Sequence, residues 1–458
     1  MLLQVIKPHN LGDYYSGRWN ETKLGEVIKT LPGGKFTAAS LTEAHKVGAR
    51  YAILGIPEDI GPRANGGRAG ASEAWPAFLK YFLSEQSNSF LSGENILLVG
   101  NIVCEDLQKD SHKIPDSTDE QNYLRALCSR LDERVFPVVA ALVAYGYMPI
   151  VIGGGHNNAY PIIKGVAYGL SLASLSGLML EEHPLMQLAF GNNDSAVGES
   201  LEKRPLVTKT TARDLASALS DITIGAAKNE EVSINDIVCD EEISLAEAVR
   251  RHLQKSGDSA QISEGTGTLD IGGQPYLPIS VVNCDSHADF RALEGRHSGN
   301  PFSYAKLAHY LNNYYLVNYQ ENSNSATMLS YMRALGIRAF SYESIFVRRE
   351  FTYADTLSFV VQLLNNVHEP IGLELDLDTI AMMPSSARSP QGISLDDAAF
   401  YLHRLSSSLP AIYCHLPEGA PSLGEDGERT VGRSLTLLVN TVIKGCEMYR
   451  NGKQAAAN

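Results

Sequence analysis

Eight short apolar runs constrain this chain more than any other feature: residues 51–56, 95–99, 149–152, 278–284, 314–318, 337–341, 371–375 and 411–415. Each is rich in β-formers and bounded by Gly, Pro or Asn, the pattern of strands buried on both faces of a parallel sheet. Amphipathic stretches separate them, among them 121–145, 326–335 and 356–365, and Ser394-Leu-Asp-Asp397 has the form of an acidic capping box opening another helix. Strand alternating with helix predicts an α/β fold, with a mostly parallel sheet of about eight strands covered on both faces.

At 458 residues the chain is long enough for a large core. Its formal net charge of -14 argues against binding a phosphate backbone, so no nucleic-acid partner is expected. The longest apolar stretch, 136–152, is interrupted by Pro137, Gly146 and Pro149, and reads as a buried helix running into a buried strand, with no membrane span. The opening residues contain no uninterrupted apolar core of a signal peptide. Six cysteines (Cys104, Cys128, Cys239, Cys284, Cys414 and Cys446) lie scattered without CxxC spacing, which disfavours thiolate zinc and makes a reduced, cytoplasmic setting the expectation.

One stretch breaks the alternation. Residues 176–273 separate two strands that a single helix would ordinarily connect, and they are polar and weakly periodic apart from a helix expected over 244–255. So long a structureless loop is improbable inside a compact domain. The expected organisation is a single catalytic domain over 1–458 carrying an insertion at 176–273.

Three of the apolar runs end in chemically loaded motifs. The run 278–284 leads into Asp285-Ser-His287-Ala-Asp289, the run 371–375 into Asp376-Leu-Asp378, and the run 149–152 into Gly153-Gly-Gly-His156. Alternate residues of extended chain share a face, so the acidic and imidazole groups of each motif can project together. Ligands gather beyond the carboxyl ends of strands in such sheets. That many carboxylates at one rim require cations between them, and a carboxylate-rich set with two imidazoles and no thiolate favours a hard divalent ion such as manganese.

These three motifs together resemble those of the ureohydrolases, the family of arginases, agmatinases and formimidoylglutamases. The resemblance covers most of the chain outside the insertion, and includes Leu54-Gly-Ile-Pro-Glu-Asp and Asn65-Gly-Gly-Arg-Ala-Gly70. It implies a three-layer α/β/α sandwich and two Mn2+ per chain. His156 and Asp289 would hold one ion, His287 and Asp378 the other, and Asp285 and Asp376 would bridge them. A water activated between the ions would attack the trigonal carbon of an amidine or guanidinium group, with Asp289 passing a proton to the leaving amine. His415-Leu-Pro-Glu418 is similar to the family's late acidic motif, and implies that Glu418 hydrogen-bonds the substrate's amino groups.

Two departures narrow the resemblance. Gly155 stands where the Gly-Gly-x-His motif often carries an acid, removing a possible outer partner for a ligand. Phe302, in Ser298-Gly-Asn300-Pro-Phe302, stands where arginases place a proton-shuttling histidine. Ser-Gly-x-Pro-Phe and Asp289-Phe-Arg291 resemble formimidoylglutamase instead. The implied substrate is N-formimidoyl-L-glutamate, hydrolysed to glutamate and formamide in histidine degradation. Its two carboxylates call for cationic partners, and Arg291, Arg296 and Arg388, with Asn300, are the candidate substrate-binding residues. Two alternatives stay open: a ureohydrolase releasing urea from arginine or another guanidino acid, and a metal-free paralogue that binds ligands or scaffolds partners. The partner is a small amidine or guanidino molecule, and a homo-oligomer is expected.

Overall fold

The computed structural model describes residues 2–113, 119–175, 180–181, 183–191, 276–367 and 369–457. Ten strands form one sheet: β1 (Leu3–Val5), β2 (Lys29–Thr30), β3 (Tyr51–Gly55), β4 (Ile96–Ile102), β5 (Met148–Ile152), β6 (Ile279–Cys284), β7 (Leu311–Tyr319), β8 (Arg338–Ser341), β9 (Ile371–Leu375) and β10 (Ala411–Leu416). Their order is β1-β4-β3-β5-β10-β9-β6-β7-β8, with β2 beside β4. Only β1 runs antiparallel, against β4; every other pairing between these ten strands is parallel. The eight expected strands are all present. The two additions, β1 and β2, are three and two residues long, too short to leave an apolar run in the sequence.

Strand side chains alternate between two separate cores, which makes three layers. Ala52, Leu54, Leu97 and Val99 face one core; Tyr51, Ile53, Ile96 and Leu98 face the other. Helices α1 (Ala74–Phe82), α2 (Glu120–Ala144), α3 (Ala159–Leu172), α4 (Pro301–Leu307), α5 (Tyr353–Asn365), α6 (Leu395–Ser406) and α7 (Gly427–Ala457) divide between them. The first core takes α2, α3 and α4 through residues such as Val139, Ile163 and Phe302; the second takes α1, α5, α6 and α7 through Phe78, Leu357, Tyr401 and Leu435.

Local sequence sets the helix boundaries. Asp119 caps α2 by accepting the amides of Gln121 and Asn122. Ser394 and Asp397 form the reciprocal cap expected of them at the start of α6. The apolar stretch 136–152 is the buried end of α2 followed by β5, and among the described residues no helix is long and apolar enough to cross a membrane. The helix expected over 244–255, and most of the insertion, lie outside the described residues.

Candidate metal centre

The four neighbouring strands at the middle of the sheet, β5, β10, β9 and β6, each deliver one segment of the site from their carboxyl ends. After β5 the chain reverses through Gly153 (φ 78°) and Gly154 (φ 74°), a left-handed turn that glycine adopts without strain, and this brings His156 back over the sheet. After β6 and β9 one device appears twice. Asp285 Oδ1 accepts the amide of His287 at 2.7 Å, and Asp376 Oδ1 accepts the amide of Asp378 at 2.8 Å. In each loop the first aspartate therefore fixes the residue two places on. Asn324 clamps the first loop from outside, accepting the amide of Ala288 at 2.8 Å and donating to the Ser286 carbonyl at 3.0 Å. Asp289 (φ 46°) and Glu418 (φ 67°) both hold left-handed backbone, an uncommon conformation for side chains of this kind that recurs at functional sites.

These turns bring the expected ligands together. His156 Nδ1 lies 3.1 Å from Asp285 Oδ2, 2.9 Å from Asp289 Oδ2 and 3.0 Å from Asp376 Oδ2. His287 Nδ1 lies 3.1 Å from Asp378 Oδ2 and 3.7 Å from Asp285 Oδ1. Asp285 thus turns one oxygen toward each histidine. Asp376 joins the His156 group only. A ring nitrogen surrounded by three carboxylate oxygens, itself without a hydrogen-bond partner, is the donor arrangement of a cation site. The set suits a pair of hard divalent ions: oxygen-rich, with one imidazole on each side and no sulfur.

The electrostatics follow from crowding. Burial pushes the Asp289 carboxyl up to about 6, with Asp285 adding to the rise. Burial, then the charges of Asp378 and Asp285, raises Asp376 well above the carboxylate range. Burial opposes ionisation of Asp285 too, but contacts from His156 and His287 outweigh it and hold this carboxyl low. Glu418, whose Oε1 accepts the His156 amide at 2.9 Å, is pushed by burial up to about 8.

A model of the Arginase family matches residues 49–175 and 263–443, about two-thirds of the chain. The chain belongs to the arginase family. The formimidoylglutamase of Geobacillus thermodenitrificans (strain NG80-2) is 33% identical over 128 residues, 28% of this chain and 34% of that protein, so the alignment spans about a third of the curated relative. The fold is similar to that of formimidoylglutamase from Bacillus subtilis subsp. subtilis str. 168, with a TM-score of 0.58 at 13% identity over 94% of each chain. It is also similar to Trypanosoma cruzi formiminoglutamase with Mn2+2, with a TM-score of 0.51 at 16% identity over 92% of this chain and 98% of that one.

In this arginase-family chain several candidate residues fall in other places than the sequence suggested. Arg296 is not at an open rim. It is buried, with Nε donating to Asp132 Oδ2 at 2.8 Å, Nη1 to Asn300 Oδ1 at 2.9 Å and Nη2 to the Asn157 carbonyl at 2.7 Å, between the rings of Tyr160 and Tyr304. Asn300 is equally committed. Its oxygen also accepts the His297 amide, and its nitrogen donates to the carbonyls of Ala292 and Gly295. Every side-chain nitrogen and oxygen of the two buried residues is engaged inside the protein, so both substrate-binding expectations are corrected to structural roles. Arg291 and Arg388 are exposed. Arg291 is held by its backbone, its amide donating to the Gly299 carbonyl at 3.0 Å. Phe302 is fully buried, stacked on Tyr314 at 4.4 Å and edge-on to His156 at 5.2 Å.

Gly155 has a steric reason. A Cβ there would come within 2.2 Å of Pro62 Cδ, and a carboxylate arrives from another strand end. Glu58 Oε1 accepts the Gly155 amide at 2.7 Å and the Asn158 side chain at 2.6 Å, while Oε2 accepts the amides of Ile60 and Gly61. Sequence reasoning missed Glu58 and also Glu374, a fully buried carboxylate within β9. The signal for the second was present: an acid interrupting an apolar strand two residues before Asp376.

Proposed function

We propose that this protein is a binuclear manganese hydrolase that cleaves the C–N bond of a linear amidine, with N-formimidoyl-L-glutamate as substrate and glutamate and formamide as products. The observation that carries the reading is the pair of donor groups sharing Asp285: His156, Asp289 and Asp376 on one side, His287 and Asp378 on the other. The manganese in the T. cruzi relative and the formimidoylglutamase likeness of the sequence add support. Two such ions supply a water activated near neutral pH and a Lewis acid for the amidine.

The chain's own groups do the rest. Asp289, beside His156 at the centre, is the group suited to take a proton and return it to the departing amine. Glu418 spends Oε1 on the His156 amide and offers its second oxygen to the substrate's N–H groups. Recognition of a dicarboxylate rests on Arg291 and Arg388, since Arg296 is occupied internally. Phe302 disfavours an arginase-like reaction because a buried phenyl ring can carry no proton to a leaving group. In the same proposal, one catalytic domain carries residues 176–273 as an insertion, a reading supported by the gap between the two family-matched stretches.

The test is a substrate panel with manganese-loaded protein, scoring formamide from N-formimidoyl-L-glutamate and urea from arginine. Formamide release with little urea is expected. Rapid urea release would replace the reading with a guanidino-acid ureohydrolase, and neither product together with no bound metal would replace it with a ligand-binding paralogue.

A further inference from the structure

Behind His156, on the same face of the sheet, sits a buried assembly that the proposed chemistry does not use. Glu374 lies in β9, and Tyr413 and His415 lie in its neighbour β10, with His415 in register with Glu374 and Tyr413 with Gly372. All three side chains are fully buried. Tyr413 Oη donates to Glu374 Oε1 at 2.8 Å, and His415 Nδ1 lies 2.7 Å from Oε2. The tyrosine reaches across β9 only because residue 372 is glycine, where a Cβ would come within 2.1 Å of Tyr413 Cε1. Four positions on two strands are thus fitted to hold one carboxylate. A carboxylate inside a sheet is costly to bury, and packing alone would be served by an apolar side chain.

Nearby polar atoms left without a hydrogen-bond partner include His415 Nε2 and both ring nitrogens of His156. His156 Nε2 faces Glu374 Oε2 at 3.5 Å, while its Nδ1 faces the three aspartates. An imidazole that offers a lone pair to an ion through Nδ1 carries its proton on Nε2, the nitrogen that here lies on the side of the braced carboxylate. The ring also meets Phe302 edge-on at 89°, which restricts its rotation. Carboxylates placed behind a ligating histidine fix its orientation and strengthen it as a donor.

We propose that Glu374, braced by Tyr413 and His415, is a positioning residue that holds His156 with Nδ1 toward the metal centre, so that affinity at the His156 side depends on it. The inference rests on the two-ion reading above. His156 Nε2, Glu374 and His415 also lie close enough to one another to enclose an ion of their own. The positioning role is favoured because each oxygen of Glu374 is already in a hydrogen bond.

The test is calorimetric titration of metal-free protein with manganese, with elemental analysis and thermal melting, on the parent, Glu374→Gln and Tyr413→Phe. The parent should take two ions. Folded Glu374→Gln should lose about ten- to a hundredfold in affinity at one position and keep the other. Its turnover should recover in excess manganese with KM for substrate unchanged. Tyr413→Phe, which removes one hydroxyl and little packing, should weaken the same position to a smaller extent, and it decides the matter if Glu374→Gln does not fold. Affinities within about twofold of the parent in the folded variants would overturn the positioning role while leaving the two-ion reading intact. Three ions in the parent falling to two in Glu374→Gln would overturn it in favour of a third ion site. A parent that takes no manganese would overturn both readings.

Discussion

Arg296 and Asp132 form an ion pair sealed inside the protein, Nε to Oδ2 at 2.8 Å, with both side chains at most 4% exposed. Asp132 comes from the middle of α2, and Arg296 opens the segment that runs through Asn300 into α4. The pair therefore ties the loop after Asp289 to the helical layer, and another Arg296 bond reaches Asn157, the neighbour of the proposed ligand His156. Burial pushes the Asp132 carboxyl up to about 6, against the pull of the Arg296 charge. Asp132→Asn would leave the guanidinium buried without a counter-charge, and breaking a buried pair in this way costs about 3–5 kcal/mol. A large fall in melting temperature is expected for Asp132→Asn and Arg296→Ala alike. A variant that melts like the parent but shows a raised KM would return Arg296 to substrate recognition.

The two donor groups share Asp285 but not Asp289, and this asymmetry is testable. Asp285→Asn should weaken manganese at both positions, since each of its oxygens faces a different histidine. Asp289→Asn should weaken only the His156 side. Stepwise titration resolves the two cases, and equal loss at both positions in Asp289→Asn would contradict the grouping.

Manganese affinity should rise with pH through the neutral range. Burial works against a proton on His156, but the aspartates facing Nδ1 outweigh it; on His287 the Asp378 charge is the largest influence. Both imidazoles are thus held well above their usual range and keep protons that an ion must displace. The sign is fixed: metal binds the deprotonated rings, so falling pH favours the competitor. Titrations in buffers of different ionisation enthalpy should show proton release on binding, and a pH-independent affinity would contradict the assignment of these rings as ligands. Saturating metal should also stabilise the fold, by about 2.7 kcal/mol at a hundred times Kd.

Most of the fold and all six proposed ligands were legible because they sit where sequence signals are strongest. A strand buried on both faces writes an uninterrupted apolar run, and a ligand loop at its end writes acids and histidines at alternate positions. Gly155 shows where legibility stops. Its missing acid read as a lost partner, yet Glu58, nearly a hundred residues earlier in the chain, supplies a carboxylate to the same turn. Contacts of that range leave no local spacing. Arg296 failed for a similar reason: a charged residue near a ligand looks like recognition until its partner on α2 is seen.

Restoring the acid makes the Gly155 point concrete. Gly155→Asp would drive a Cβ into Pro62 and set a second carboxylate beside Glu58, whose pKa burial already raises. Overpacking alone costs about 1–3 kcal/mol, and the added charge acts in the same direction. Lower thermal stability and weaker manganese binding are expected together. A stable variant with tighter metal binding would mean that the turn can open to accept the acid.

The last prediction concerns the exposed arginines. Arg291 lies two residues beyond Asp289, and its backbone is held at both ends, by the Gly299 carbonyl on its amide and by the Ser303 hydroxyl on its own carbonyl at 2.7 Å. Its side chain lies against Gly299, where an added Cβ would come within 3.0 Å of Arg291 Cδ, so backbone and glycine together aim the guanidinium. The Arg388 amide donates to the Ser385 carbonyl at 3.3 Å, and its side chain makes a 3.5 Å contact from Nη1 to the Leu423 carbonyl. If a dicarboxylate binds beside Asp289, Arg291→Ala should raise KM about ten- to a hundredfold, the worth of one lost charge-assisted hydrogen bond of roughly 1.5–3 kcal/mol. It should also lower kcat, because a substrate free to shift presents its amidine carbon badly. Arg388→Ala should act more weakly, and metal content should stay at the parent level in both. If both variants keep kcat/KM within about twofold of the parent, the distal carboxylate is not recognised by these residues, and a smaller or neutral-tailed amidine becomes the substrate to test.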